Sequence, residues 1–293
     1  MKDKRTIYAH SAALFTITIW GTTYISTKVL LKDFSPVEIM VFRFIIGLIA
    51  LFIAYPHILK PNSLKQELLF ACAGLCGVTL YFLFQNIALD YTFASNVGII
   101  VSIAPMLTAI LAFIFYREKL HLHFFIGFFA AMAGIVLVVL NGNLVLKLNP
   151  LGDILATLAA LVWAIYSVIM KKISSFNYNT IQITRRVFMY GLIFIVPAIF
   201  IFNADLTLYR LADIKNLFNI IYLGLGASAL CFVSWNWSIN ILGPVKTNLY
   251  IYLNPVITII TAALILHESM TLMAILGTVL ILSGLYISQR KNN

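Results

Sequence analysis

Residues 95–134 of this chain are written twice. Pro105, Thr108, Glu118, Gly127 and Gly134 return as Pro255, Thr258, Glu268, Gly277 and Gly284, each 150 positions later. The same offset carries Gly74, Leu75, Phe82 and Asn86 onto Gly224, Leu225, Phe232 and Asn236. Further upstream the offset becomes 143, where Trp20, Lys28 and Arg43 match Trp163, Lys171 and Arg186, so one seven-residue insertion is expected in the 203–215 loop. Ser95-Asn96 echoes Thr247-Asn248 two residues out of step. Such a chain is a tandem duplication, two copies of one unit that bury a common core.

The repeated unit is too apolar for a soluble domain. Of all residues 62% are hydrophobic and 10% charged, with a mean hydropathy of +0.98, whereas soluble domains carry about a quarter charged residues. Apolar runs near the ~20 residues that cross a ~30 Å hydrocarbon core lie at 9–31, 36–55, 67–89, 93–115, 122–140, 151–170, 180–202, 217–241, 244–266 and 271–288. They predict an all-α integral membrane fold of ten transmembrane helices. The first five-helix repeat occupies 1–140 (about 12–140), a linker of turn residues 141–150, and the second repeat 151–293 (about 151–288). An odd number of spans per copy makes the copies enter the membrane from opposite faces. That inverted topology is how transporters build one midplane site served from two sides.

The formal net charge of +10 is a topology signal. Twelve Lys/Arg lie on the side of the N-terminus against four on the other, which places both termini in the cytoplasm by the positive-inside bias and leaves no reason to expect a nucleic-acid partner. The run after Met1-Lys2-Asp3-Lys4-Arg5 is long and has no small-residue cleavage site, so it is the first span rather than a signal peptide. Cys72, Cys76 and Cys231 lie inside spans as packing residues. Neither a disulfide framework nor a metal motif is present, and no metal or cofactor is expected.

Candidate substrate contacts are the polar and aromatic residues at depth. Trp20 and Tyr24 share a helix face, and their counterparts are Trp163 and Tyr166; the alternative for each is an interfacial or core aromatic. Arg43 lies about two turns inside the second span, where a charge costs several kcal/mol unless it faces protein or water. It reads as a carboxylate contact or, equally, as a structural partner of carbonyls or Glu38. Tyr81 with Gln85, and Phe82 with Asn86, form two faces of the third span, matched in the eighth by Trp235 and Asn236. Amides among aromatics suit a substrate wall or helix-to-helix bonding. Tyr252 and Asn254 lie just before Pro255.

Pro105 and Pro255 fall in mid-span, where proline frees carbonyls that must meet protein or cavity water, so both are candidate hinges. The Gly127/Gly134 and Gly277/Gly284 pairs are close-packing notches and offer a surface for a homodimer. Lys28, Glu118, Lys171 and Glu268 are candidate charges at the membrane edges. All five histidines sit at span ends or in loops and no Asp or Glu lies in mid-span, which argues against an intramembrane enzyme; nothing resembles the charge rings of a channel. Without a carboxylate or histidine relay, transport is expected to follow the substrate gradient or exchange, with any proton entering through Glu118 or Glu268.

Ten spans in about 300 residues, a Trp-Gly pair and lysine in the first, arginine in the second, and proline followed by glutamate in the fourth and ninth resemble the EamA family of the drug/metabolite transporter superfamily. The resemblance covers roughly 12–140 and 151–288. It implies a bacterial inner-membrane carrier, usually for efflux of amino acids, related metabolites or small drugs, with a cavity between the halves. Members differ widely in substrate and some import. In aromatic amino acid exporters of this kind aromatic side chains line the cavity, a role that would fall here to Trp20, Tyr81, Trp163 and Trp235.

Overall fold

The computed structural model describes residues 4–91, 94–118, 121–140, 149–257, 260 and 272–289; Glu268, Thr258 and the side chains of Tyr24, Lys28, Ser95 and Asn96 lie outside the described set. The described residues form ten helical elements joined by loops. They are α1 (Lys4–Leu30), α2 (Pro36–Ala54), α3 (Leu64–Tyr91), α4 in two pieces (Ala94–Val101 and Ala104–Tyr116), α5 (Leu122–Leu140), α6 (Pro150–Ser174), α7 (Thr180–Ile201), α8 (Ile214–Leu242), α9 opening with Pro244–Asn248, and α10 (Leu272–Gln289). Each falls on one of the ten expected spans. Five of them (α2, α3, α6, α7, α8) are unbroken helices long and apolar enough to cross a membrane.

Helix starts follow from local chemistry. Ser35 accepts from the Glu38 amide while the Glu38 carboxylate accepts from the Ser35 amide, with Pro36 in the first turn of α2. Asn149, Asn179 and Asp213 cap α6, α7 and α8 with side-chain oxygens, and Ser63 caps α3. These caps carry α3 and α8 several residues beyond the purely apolar runs. Gly243 at φ +83° ends α8 and allows the abrupt turn into Pro244.

Both mid-span prolines begin a new helical segment. α4 breaks at Ser102-Ile103, and Pro105 stands in the first turn of its second piece. In α9 a tighter 3₁₀ turn, Leu249–Leu253, precedes Asn254 and Pro255. Two further irregularities were not visible in the sequence: wide π-helical turns inside α3 at Leu75–Leu80 and inside α8 at Tyr222–Leu230. They occupy repeat-equivalent positions. Such turns rotate the side chains that follow them and recur at functional sites.

Packing between the halves is reciprocal. α3 lies on α6 as α8 lies on α1, α2 lies on α8 as α7 lies on α3, and α5 pairs with α10. The four glycines explain the last pair. A Cβ on Gly134 would stand 2.5 Å from the Gly277 carbonyl oxygen and one on Gly277 2.6 Å from that of Gly134, while Gly284 meets the Gly127 oxygen at 2.5 Å. The notches are therefore used within the chain, α5 against α10. Contacts that exchange under the repeat in this way are the mark of an internal pseudo-two-fold axis.

Candidate functional site

A cluster of rings fills the centre. Trp20 and Trp163, equivalent in the repeat, meet edge to face with centroids 5.4 Å apart; Trp235 and Phe232 lie 5.0 and 5.6 Å from Trp20, and Tyr81 is 4.8 Å from Trp163. The wide turn of α3 delivers Tyr81, Phe82 and Gln85, and that of α8 delivers Phe232 and Trp235. Between the two repeats the rings leave a cleft of about 40 Å³ lined by Trp20, Thr23, Arg43, Tyr81, Phe82, Gln85, Trp163 and Asn254. That volume holds little more than a water molecule.

Arg43 provides the positive charge in the cleft. It is 5% exposed, its Nε donates to Ser228 Oγ at 2.9 Å, and its guanidinium lies 4.5 Å over the Phe82 ring and 5.3 Å from that of Phe44. Cation–π contact and one hydroxyl offset part of its desolvation. Among the described residues no carboxylate pairs with it. Glu38 instead bonds Arg210 at 2.9 Å on the far face and accepts from the Asp205 amide. Arg186, the repeat equivalent of Arg43, is paired with Glu67 near the N-terminal face, and Arg185 donates to the Tyr55 and His57 carbonyls.

Several buried polar atoms of the cleft and its surrounding core have no hydrogen-bond partner among the described residues: Gln85 Oε1, Trp235 Nε1 and the Tyr252 hydroxyl. An unmet buried group costs about 1–3 kcal/mol, which marks the places where a ligand would be welcomed. Other groups are satisfied. Trp20 Nε1 donates to the Ala227 carbonyl, and Trp163 Nε1 to Asn248 Oδ1, both at 2.9 Å. Tyr166 donates to Asn236, which donates on to Thr184, in a chain outside the cleft.

Of the twelve candidate contacts, Trp20, Arg43, Tyr81, Gln85, Trp163 and Asn254 line the cleft; Trp235 and Tyr252 are buried near it or in the same core; Asn86, Tyr166 and Asn236 are buried without lining it. Tyr24 and Lys28 lie on α1 with side chains outside the described set. Thr23 is an addition, Phe82 of the expected Phe82/Asn86 face also lines the cleft, and Asn248 bonds Trp163 without lining it. Phe82 is 8% exposed and repeats as Phe232, and the echo of Ser95-Asn96 in Thr247-Asn248 was the signal for Asn248.

At the N-terminal face Lys171 of α6 forms an ion pair with Glu118, just beyond α4, and its ammonium lies 4.5 Å over the Tyr116 ring. Tyr116 itself donates to the Val168 carbonyl at 2.9 Å. These contacts bind the first repeat to the second beside a second, larger cleft of about 730 Å³.

Two antiparallel repeats close on an aromatic centre that holds Arg43. The model of the EamA-like transporter family matches residues 7–140 and 150–289. The chain belongs to the EamA-like transporter family. Its relatives include an uncharacterized transporter of Archaeoglobus fulgidus, 25% identical over 97% of this chain and 98% of that protein, and a second from the same organism at 27% over 94% and 96%. A probable terminal-alkyne amino-acid exporter of Streptantibioticus cattleyicolor is 22% identical over 96% of this chain and 93% of its own. A solved crystal structure superposes with a TM-score of 0.75 at 18% identity, covering 99% of this chain and 97% of the other. That likeness shows the fold alone. This EamA-like transporter is thus an all-α membrane protein of two inverted five-helix repeats.

Proposed function

We propose that this transporter is an inner-membrane carrier, with both termini cytoplasmic, that exports small amphipathic metabolites bearing a carboxylate, amino acids among them, by alternating access. The observation that supports this best is Arg43. A guanidinium without a carboxylate partner among the described residues, set among Trp20, Tyr81, Phe82 and Trp163, suits a solute with one anionic end and an apolar body. A cationic solute would meet a like charge there. The proline breaks in α4 and α9 supply the flexibility that lets the cleft open to one side and then the other. The exporter from Streptantibioticus cattleyicolor is consistent with such a substrate.

Purified protein in liposomes tests it. A panel of metabolites is first screened for thermal stabilisation of the detergent-solubilised protein, and the best carboxylate is then followed in counterflow. Saturable counterflow that Arg43→Ala lowers about tenfold or more, while a neutral analogue is unaffected, is the expected result. Non-saturating conductance would identify a channel, and product formation an enzyme.

A further inference from the structure

The larger cleft opens at the N-terminal face between the ends of α4, α6, α8, α9 and α10, and its walls include Glu118, His121, Lys171, Ser174, Lys246 and Ser288. Lys171, paired with Glu118, and Lys246 line about 730 Å³, room for an amino-acid-sized solute. Among the described residues Lys246 has no ion-pair partner and the buried Ser288 Oγ has no hydrogen bond. Two residues beyond Lys246 lies Asn248, whose Oδ1 accepts from Trp163 Nε1 at 2.9 Å and Ser167 Oγ at 3.5 Å. Leu249, beside it, forms part of the cleft wall. Residues 246–249 thus line this cleft at both ends, at Lys246 and Leu249, while Asn248 between them bonds Trp163 of the aromatic centre.

We propose that this cleft is a first binding site for the carboxylate of the solute, in which Lys171 exchanges Glu118 for the incoming carboxylate. The exchange is one anion for another at the same ammonium. Lys246 supplies the second positive charge that makes an external carboxylate competitive with a tethered one. Loss of Glu118 from Lys171 removes the only ion pair, among the described residues, joining the end of α4 to α6, so binding at the face loosens the two repeats where the path to the centre begins. This rests on the carboxylate-bearing substrate proposed above, but concerns other residues.

The probe is phenylacetate, with phenylethanol as its uncharged counterpart, and binding to the purified full chain is measured in wild-type and Arg43→Ala protein. Glu118→Gln removes the competing anion and should tighten phenylacetate binding about threefold. Lys171→Gln should weaken it about tenfold, and Lys246→Gln, which leaves the α4 to α6 contact intact, should weaken it severalfold. Phenylethanol should follow none of them, and the pattern should persist with Arg43→Ala. If Glu118→Gln and Lys171→Gln shift binding in the same direction, if Lys246→Gln has no effect, or if phenylethanol shifts alongside phenylacetate, the exchange is refuted. Binding that Arg43→Ala abolishes while all three cleft variants leave it unchanged refutes the cleft site and keeps the central one. Cleft effects with unaltered counterflow in Arg43→Ala refute the central one alone.

Discussion

Trp20 and Trp163, the same residue of the two repeats, touch edge to face at 5.4 Å, yet their indole N–H groups have different partners. Trp20 donates to the backbone of α8 at Ala227 and Trp163 to the carboxamide of Asn248 in α9. A repeated sequence thus holds an asymmetric arrangement, as the proposed alternating access requires.

The Trp163 bond should be separable from its ring. Trp163→Phe keeps an aromatic body but leaves Asn248 Oδ1 with only the long contact to Ser167, and should cost about 1–2 kcal/mol. Trp163→Ala also opens a cavity and should cost about 3–5 kcal/mol. Thermal unfolding in detergent ranks the two; equal losses would mean that the N–H contributes nothing.

Arg43 and Arg186 are repeat equivalents with different tasks. Arg186 donates to Glu67, which also accepts from Tyr190, and both partners are only about a fifth exposed (23% and 22%). Arg186→Ala should lower stability by about 1 kcal/mol without changing which solutes are carried. Arg43→Ala should do the reverse, altering solute preference in counterflow with the fold retained.

This divergence shows where sequence stops being informative. The ten spans, the prolines and the glycine notches were legible because each rests on a local rule: apolar length, a missing amide hydrogen, a missing Cβ. Trp20, Arg43, Tyr81, Gln85 and Trp163 could be singled out as costly or unusual at depth. Their partners could not. Ser228 for Arg43 and Glu67 for Arg186 depend on which helix lies opposite, and repeated residues have unlike neighbours. The wide turns of α3 and α8 were equally hidden, since the hydrogen-bond register within a helix is decided by packing. Gly74 fits against α7 with only 2.7 Å between its would-be Cβ and the Gly191 nitrogen, and no propensity records that.

Gly134→Ala should destabilise the protein although alanine is the better helix former. The new methyl would lie 2.5 Å from the Gly277 oxygen, and forcing α5 from α10 costs about 1–3 kcal/mol. Gly98→Ala is the control. No described atom lies within 4 Å of a Cβ there, so melting temperature should stay level or rise slightly.

On the far face Asp205 is held below the ordinary carboxylate value of 3.8 by hydrogen bonds from the Thr207 amide and hydroxyl. Arg210 donates to its backbone carbonyl. A depressed folded pKa contributes stability that is complete above 3.8 and is lost as pH falls below it through the folded value. Melting temperature should therefore have a component that falls only in that acid range. Thr207→Ala should shrink that component by lowering the melting temperature slightly at neutral pH and leaving it unchanged in acid; an unaltered profile would mean the hydroxyl bond does not hold the carboxylate.

Everything in the transport scheme depends on the repeats being inverted across the membrane. Glu118 and Glu268 are equivalent in the repeat and, with five spans per copy, must emerge on opposite faces. Single cysteines placed at these positions in a chain lacking Cys72, Cys76 and Cys231, labelled in sealed vesicles with an impermeant maleimide before and after permeabilisation, test this directly. Protection of one site and ready labelling of the other in intact vesicles is the predicted result. Labelling of both from the same side would contradict it.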